Sequence, residues 1–449
     1  MEPRGGVGLF DPGDGRYTLH VSSQNLHINR NHVARALGVA PAAVRFVAPD
    51  VGGGFGAKNF IYVEHVLVAW AARRVGRPVK WIATRSEVFL ADHPSRDMQA
   101  RASLALDASG KFLALKVASV ANVGAYLAGV GGGVPTYQYY HLQGTVYRLP
   151  AIALEVRVVL TNTTPIGVMR GPGFAETVNI LERLIDAAAQ QMGLDRAELR
   201  RRNMVPAAEM PMTNAFGFQV DSGAFPETLD RALDHADLAG FAGRRRQSEA
   251  AGRLRGLGFA YHIKGTGGSP EENVDIRFER DGSLSLITGT QHIGQGHETT
   301  FPQILSTLLG IPDSQIHLRQ GDTDLIPIGG GHGSSRATFM AGTAMARASE
   351  EIVKKGTALA AEVEYRANLA SYPLTAKHVT SVLGSELMVQ SDFNPNPMTH
   401  VDATATGAQV MNQLGTPAPI TATDEAAAAN RRDSPKCSSR GDGGNRPRK

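Results

Sequence analysis

At 449 residues, with 42% hydrophobic and 20% charged, the chain has room for two or three domains around sizeable cores. The formal charge of +4 belongs to one end: Arg431 to Lys449 carries seven basic residues against Asp433 and Asp442, so the rest is near neutral and offers no nucleic-acid surface. No apolar run reaches membrane-spanning length, no signal-peptide core opens the chain, and one cysteine, Cys437, excludes internal disulfides and a cysteine-ligated iron–sulfur cluster within it. No membrane partner is expected, and a reducing, cytoplasmic location is.

In chain order, Met1 to Gly15 reads as a glycine-rich loop, Tyr17 to Ser22 as a strand and Asn31 to Leu37 as a short helix stopped by Gly38. The strand Val44 to Ala48 leads into Val51-Gly52-Gly53-Gly54-Phe55-Gly56-Ala57-Lys58, where four glycines leave backbone amides bare and free to take φ > 0. Phe60, Val63, Val66, Leu67 and Trp70 then recur at steps of three and four, predicting a helix that ends at Gly76. Strand, glycine loop and helix N-terminus together read as a cradle for a phosphate-bearing cofactor. A dinucleotide fingerprint fits poorly, because Lys80 and Trp81 stand where an acidic residue belongs; Ala57-Lys58-Asn59 is not the Gly-Lys-Ser/Thr of a nucleotide hydrolase. The plain alternative is a tight turn with no ligand.

Val79 to Ala83 reads as a buried strand, and Gln99 to Leu106 with Phe112 to Val120 as a hairpin about Asp107-Ala108-Ser109-Gly110. A second glycine cluster spans Gly129 to Pro135. The strand Ile152 to Leu160 delivers Thr163 to Gly173, and a helix follows with Val178, Leu181, Leu184, Ile185, Ala188 and Met192 on one face. Asp195 caps a further helix whose Arg200, Arg201 and Arg202 read as a solvated face. Asp221 to Gly252 is a polar helical connection, strands resume from Arg255, and Asp281-Gly282 is a hairpin turn. Gly289 to Glu298 precedes a helix with Phe301, Ile304, Leu305 and Leu308; Gly321-Asp322-Thr323 and the run Gly329 to Arg336 precede a last helix from Ala337 to about Lys355. Past Arg366 periodicity fades and the residues read as disordered. The expected division is 1–232, 233–366 and a tail, 367–449.

Six of these segments, in this order, resemble the large subunit of the molybdenum hydroxylases: the xanthine dehydrogenase, aldehyde oxidase and aerobic carbon monoxide dehydrogenase family. They are Ser23-Gln24-Asn25, Val51 to Lys58, Met169-Arg170-Gly171, Gly294-Gln295-Gly296-His297-Glu298-Thr299, Gly321-Asp322-Thr323 and Gly333-Ser334-Ser335-Arg336. The resemblance covers roughly residues 1 to 360. It implies an α+β fold of mixed sheets with packed helices, and molybdopterin dinucleotide, in its cytosine form, as cofactor. The pterin dithiolene holds the molybdenum, so no protein metal ligand is expected, and His292, His297 and Glu298 are not read as a zinc site. Gln24 is implied to hydrogen-bond an oxygen on the metal, Phe55 to support the substrate and Arg170 to stabilise developing negative charge. Gly53, Gly54, Gly56, Gly294, Gln295, Gly296, Ser334, Ser335 and Arg336 are implied cofactor contacts.

The activity implied is hydroxylation of an aldehyde or N-heteroaromatic carbon, a small organic substrate, with water as oxygen source. Electrons would leave through a 2Fe-2S subunit and an FAD subunit of a heterotrimer. Arg170-Gly171-Pro172-Gly173 lacks the cysteine of the carbon monoxide enzymes proper, and Asn59 replaces the glutamate of purine hydroxylases. The family's base, a glutamate in G-x-G-E, has no match at Glu350, Glu351, Glu362, Glu364, Glu386 or Glu425. An internal start, a truncation or frameshift near Arg366 and weak or no activity alone are therefore expected. Other readings are a carbon monoxide dehydrogenase large-chain-like protein, a non-catalytic docking fragment and an NAD-binding oxidoreductase.

Overall fold

The computed structural model describes residues 1–139, 143–144, 146–268, 271–367 and 388–393. Its architecture is α+β, with three main sheets, each covered by helices around its own core.

The first sheet has strands β1 (Gly5–Asp11), β2 (Arg16–Val21), β3 (Val44–Val47) and β4 (Val79–Ile82), in the order β3-β2-β1-β4. Helices α1 (Leu26–Leu37) and α2 (Val63–Val75) cover it, and Tyr17, Leu19, Val33, Phe46, Val68 and Ala69 form its core. Two readings of the sequence change here for one reason. The N-terminal glycines are strand, not loop, because α2 crosses β1 closely: a Cβ on Gly8 would lie 2.5 Å from Val68 O. That approach puts the small Val68 and Ala69 against the strand, and with His65 and Ala72 they face inward while Val63, Leu67 and Trp70 are exposed. The strand at Val79 is half-exposed on the sheet edge, not buried.

After a short helix, α3 (Arg85–Ala91), the second sheet follows the expected hairpin: β5 (Met98–Leu106) and β6 (Phe112–Asn122) pair antiparallel, and β7 (Ala151–Val159) adds parallel to β6. Asp107 Oδ1 closes the turn by accepting from the amides of Ser109 and Lys111, at 2.8 and 2.9 Å. Helix α4 (Phe174–Met192) buries Leu181, Ile185 and Ala188, as its periodicity predicts. Asp195 caps α5 (Arg196–Asn203) through the amides of Ala197 and Glu198. Arg200 is the correction: it is wholly buried, its guanidinium 2.9 Å from Glu182 and 2.8 Å from Asp186, and Tyr147 completes the Glu182 carboxylate with a 2.6 Å hydrogen bond.

A two-stranded ribbon, β8 (Met212–Thr213) with β9 (Gln219–Val220), and helices α6 (Phe225–His235) and α7 (Phe241–Ala250) connect to the third sheet. Its strands are β10 (Glu272–Phe278), β11 (Leu284–Thr288), β12 (Ile316–Arg319) and β13 (Met388–Phe393), ordered β12-β11-β10-β13. Regular pairing starts at Glu272 rather than Arg255. Helices α8 (His297–Leu309) and α9 (Arg336–Ala367) pack on the sheet, burying Phe301, Leu305, Met340 and Ala344 with Ile276 and Leu286. β13 lies within the segment read as a tail; the rest of 368–449, including Cys437, Glu386 and Glu425, lies outside the described residues. The first and third sheets are stitched at the Gly321-Asp322-Thr323 turn, where Ala48 N donates to Gly321 O at 2.7 Å and Phe46 N to Thr323 Oγ1 at 2.9 Å.

Removing one partner of a buried ion pair strands the other, which costs about 3–5 kcal/mol. Arg200→Ala should destabilise by that amount in urea unfolding, whereas a solvated arginine would change stability by less than about 0.5 kcal/mol.

Candidate functional site

The backbone turns after β2 into Ser23-Gln24-Asn25 and buries Gln24, which is 4% exposed. Its side-chain oxygen accepts from the amides of Gly56 (2.8 Å) and Lys58 (3.3 Å), and its backbone N–H donates to Lys58 O at 2.9 Å. Gly54 is glycine because of this contact: a Cβ there would sit 2.4 Å from Gln24 Oε1. Loops of the third sheet reach the same turn, with His332 N donating to Gln24 O (3.2 Å) and Gln291 Nε2 to Ser23 O (2.8 Å). Asn59, next in the chain, pairs its amide with that of Asn25.

The glycine loop departs from a plain strand–loop–helix phosphate cradle at three points. Helix α2 begins only at Val63, two of the loop's amides are given to Gln24, and Lys58 is buried in an ion pair 2.8 Å from Glu2. Gly53 and Gly56 take φ of 88° and 103°, and a Cβ on Gly56 would lie 2.4 Å from Val168 O. These glycines serve close packing of one loop on the next. Phe55, at φ 51°, is pushed outward and half-exposed, and its carbonyl accepts from Arg170 N at 2.8 Å. Arg170 itself is exposed, at the end of a loop that leads straight into α4. Among the described residues no ion pair holds its guanidinium, so the side chain is available to a ligand.

Helix N-termini with bare amides occur elsewhere, at two of the expected loops. Gly294 (φ 111°) and Gly296 (φ 75°) precede α8, and a Cβ on either would meet nothing within 4 Å. Gln295 is exposed, and its oxygen folds back onto Ile293 N, which leaves its NH2 for a ligand. Ser334 and Ser335 stand consecutively in the left-handed region, at φ 51° and 60°, exposed at the start of α9. Two such ends suit the paired phosphates of a dinucleotide. Arg336 differs from expectation: its guanidinium turns inward to Glu272 (2.5 Å) and to Gly331 O (2.7 Å), and it braces the loop from beneath.

Between these ends lie three imidazoles that composition did not single out as a group. His297 stacks on Phe301 at 4.2 Å between ring centroids, and His292 Nδ1 lies 2.7 Å from Glu298. His332 is 6% exposed and its ring nitrogens make no hydrogen bond of ordinary geometry, with the Gln291 backbone carbonyl alongside as an acceptor. Gln291 Oε1 is likewise buried without a partner. Orphaned buried polar atoms beside bare helix ends and an unpaired arginine fit a ligand rich in ring nitrogens and phosphate oxygens, which is the chemistry of a pterin dinucleotide. Two supports escaped sequence reading altogether: Glu2, whose partner Lys58 lies 56 residues on, and Arg96, which contacts the Arg170 loop. No local pattern marks either.

Burial holds His297 and His332 neutral, their pKa values pushed down to about 4 and about 3. Unfolded, both titrate near 6.5, so below that pH the unfolded chain binds protons that the folded chain refuses. The stability concerned is complete above about pH 6.5 and is lost as pH falls toward 4. His297→Gln should shrink the difference in unfolding free energy between pH 7 and pH 5 by about 2 kcal/mol; an unchanged difference would contradict a buried neutral imidazole.

Comparison with known proteins agrees with this geometry. Residues 1–204 and 231–413 each match a molybdopterin cofactor-binding domain. The chain is 35% identical over 379 residues to the carbon monoxide dehydrogenase large chain of Hydrogenophaga pseudoflava, covering 81% of this chain and 47% of that protein. It is 34% identical over 369 residues to the 6-hydroxypseudooxynicotine dehydrogenase complex subunit gamma of Paenarthrobacter nicotinovorans, covering 81% and 46%. The crystal structure of quinoline 2-oxidoreductase from Pseudomonas putida 86 superposes with a TM-score of 0.81 at 28% identity, over 88% of this chain and 55% of that one. The chain thus spans about half the length of the curated relatives it matches. Two cofactor-domain matches in chain order, on loops that meet at Gln24, place the chain in the molybdopterin-binding large-subunit family of the molybdenum hydroxylases.

Proposed function

We propose that the chain forms the molybdenum-cofactor-binding part of an oxidoreductase that hydroxylates an aldehyde or N-heteroaromatic carbon with water as oxygen source. The observation that carries this reading is the convergence on the Ser23-Gln24 turn of the Gly54–Lys58 loop, the Gly331–His332 turn and Gln291, with Arg170 tied to Phe55 beside them. With its oxygen taken up by Gly56 and Lys58, the Gln24 carboxamide has its NH2 as the donor to offer an oxygen atom of the cofactor. Phe55 and Arg170 form the substrate side, where Arg170 offers positive charge to an oxygen becoming negative. The amides at Gly294 to Gly296 and at Ser334 and Ser335 hold the pterin and phosphate portions, the dinucleotide being the cytosine form. When bound, the molybdenum cofactor supplies the oxygen-transfer and two-electron chemistry.

Relatives named for 6-hydroxypseudooxynicotine, nicotine and quinoline favour an N-heteroaromatic substrate, with an aldehyde as the other class. A carbon monoxide reaction draws support from the 35% relative. Against it, Gly171 stands at φ 80° in the Arg170 loop, where a thiol-bearing residue would be strained. The names "large chain" and "subunit gamma" suit an assembly in which separate iron–sulfur and FAD subunits take the electrons; a cytoplasmic location is part of the same proposal. Proton removal is assigned to none of the described residues, and the chain alone is proposed to turn over weakly or not at all.

Expressed with iron–sulfur and FAD subunits, the protein should bind about one molybdopterin per chain and reduce a dye in the presence of quinoline or an aldehyde. Gln24→Ala and Arg170→Ala should each lower kcat about 10²–10³-fold. Bound pterin without turnover on either substrate class would leave a cofactor-binding docking subunit. A folded chain with no pterin would overturn both readings.

A further inference from the structure

We infer that Arg96 is a positioning residue for Arg170, an inference that rests on the proposed reading only for its link to turnover. Arg96 lies between α3 and β5 with φ 69°, a left-handed conformation that a residue bearing a Cβ keeps only where its surroundings enforce it. What enforces it is the Arg170 loop. Arg96 Nη2 donates to the carbonyls of Met169 (3.1 Å) and Arg170, and its Nε stands 3.9 Å from the buried carboxylate of Glu176 in the first turn of α4. Two residues earlier, Pro94 O accepts from Gly167 N at 2.8 Å, and a Cβ on Gly167 would lie 2.7 Å from the His93 side chain.

The segment His93 to Arg96 therefore runs along one side of the loop from Gly167 to Gly171, and Phe55 closes the other side. Both peptide groups that flank Arg170 are pinned: its N–H by Phe55 O at 2.8 Å, its C=O by the Arg96 guanidinium. Fixing both fixes the direction in which the Arg170 side chain leaves the backbone. The loop needs this, because Gly171 and Gly173, at φ 80° and 76°, otherwise give it many alternatives. Charge-assisted bonds to carbonyls are the stronger class, and arginine presents its donors in a fixed plane.

Arg96→Gly removes the guanidinium while keeping a residue that tolerates φ > 0, so the fold survives the change. Amide hydrogen exchange of the protein in its complex, read on peptides spanning Ile166 to Gly173, is the primary measurement. Arg96→Gly should speed exchange there by tenfold or more, with the melting temperature and the exchange of Gly52 to Lys58 unchanged. In the cofactor-loaded complex kcat should fall about tenfold with KM changed far less, and Arg96→Lys should recover part of both effects. Unchanged exchange in Arg96→Gly overturns the inference, and so does faster exchange with kcat intact. A wild-type complex without turnover whose loop still loosens in Arg96→Gly sinks the proposed activity and leaves the clamp standing.

Discussion

Polar groups shut away from water must find partners inside the protein, and the Ser23-Gln24 turn finds them in the glycine loop for its side chain and in two stretches of the third sheet's loops for its backbone carbonyls. The Gln24 side-chain oxygen is held by amides of the glycine loop, its backbone carbonyl by His332, and the carbonyl before it by the Gln291 side chain. Each bond is modest by itself, near 1 kcal/mol, but leaving any of these buried groups unpaired costs more than the bond contributes. The first and third sheets are thus committed to one relative placement around Gln24. The stitch at Gly321 to Thr323 secures the same placement at the end of β3 that leads into the glycine loop.

Strain collects around that point. Of the five non-glycine residues with positive φ among the described residues, Phe55, Arg96, Ser334 and Ser335 border the site, and only Asp237 lies in the connecting helices. Such conformations persist where packing or hydrogen bonding over-determines them. Here the enforcing contacts are visible: Gly54 against Gln24 and Gly56 against Val168 set Phe55, the Met169 and Arg170 carbonyls set Arg96, and Arg336 beneath Gly331 sets the turn before Ser334. Rigid support of this kind lets a site built on loops hold a fixed geometry.

Much of the fold could be read from the chain because its signals are local. Glycine stops at Gly38 and Gly76, the Asp107 turn, the Asp195 cap and the apolar face of α4 all depend on neighbours a few residues away. The features misread depend on distant partners. Nothing near Gly8 announces that Val68 will lie against it, nothing near Arg200 announces Glu182, and the lysine that closes the glycine loop suits an anion until Glu2 is seen beneath it. The site loops themselves were readable through resemblance, but their division of labour was not. Gly53, Gly54 and Gly56 permit packing, Arg336 braces, and the bare helix ends that suit phosphate lie at α8 and α9. Arg96 carries no motif, since its role is defined only by the loop it touches.

If loops from both lobes form one cradle, a molybdenum ion carried by the cofactor must come to rest in a single place. An anomalous difference map recorded at the molybdenum absorption edge, on crystals of the chain with its companion subunits, reads that position without assuming any reaction. A lone peak beside Gln24, Phe55 and Arg170 is the result this account requires. A peak elsewhere on the chain, or none in crystals whose pterin is present, would contradict it.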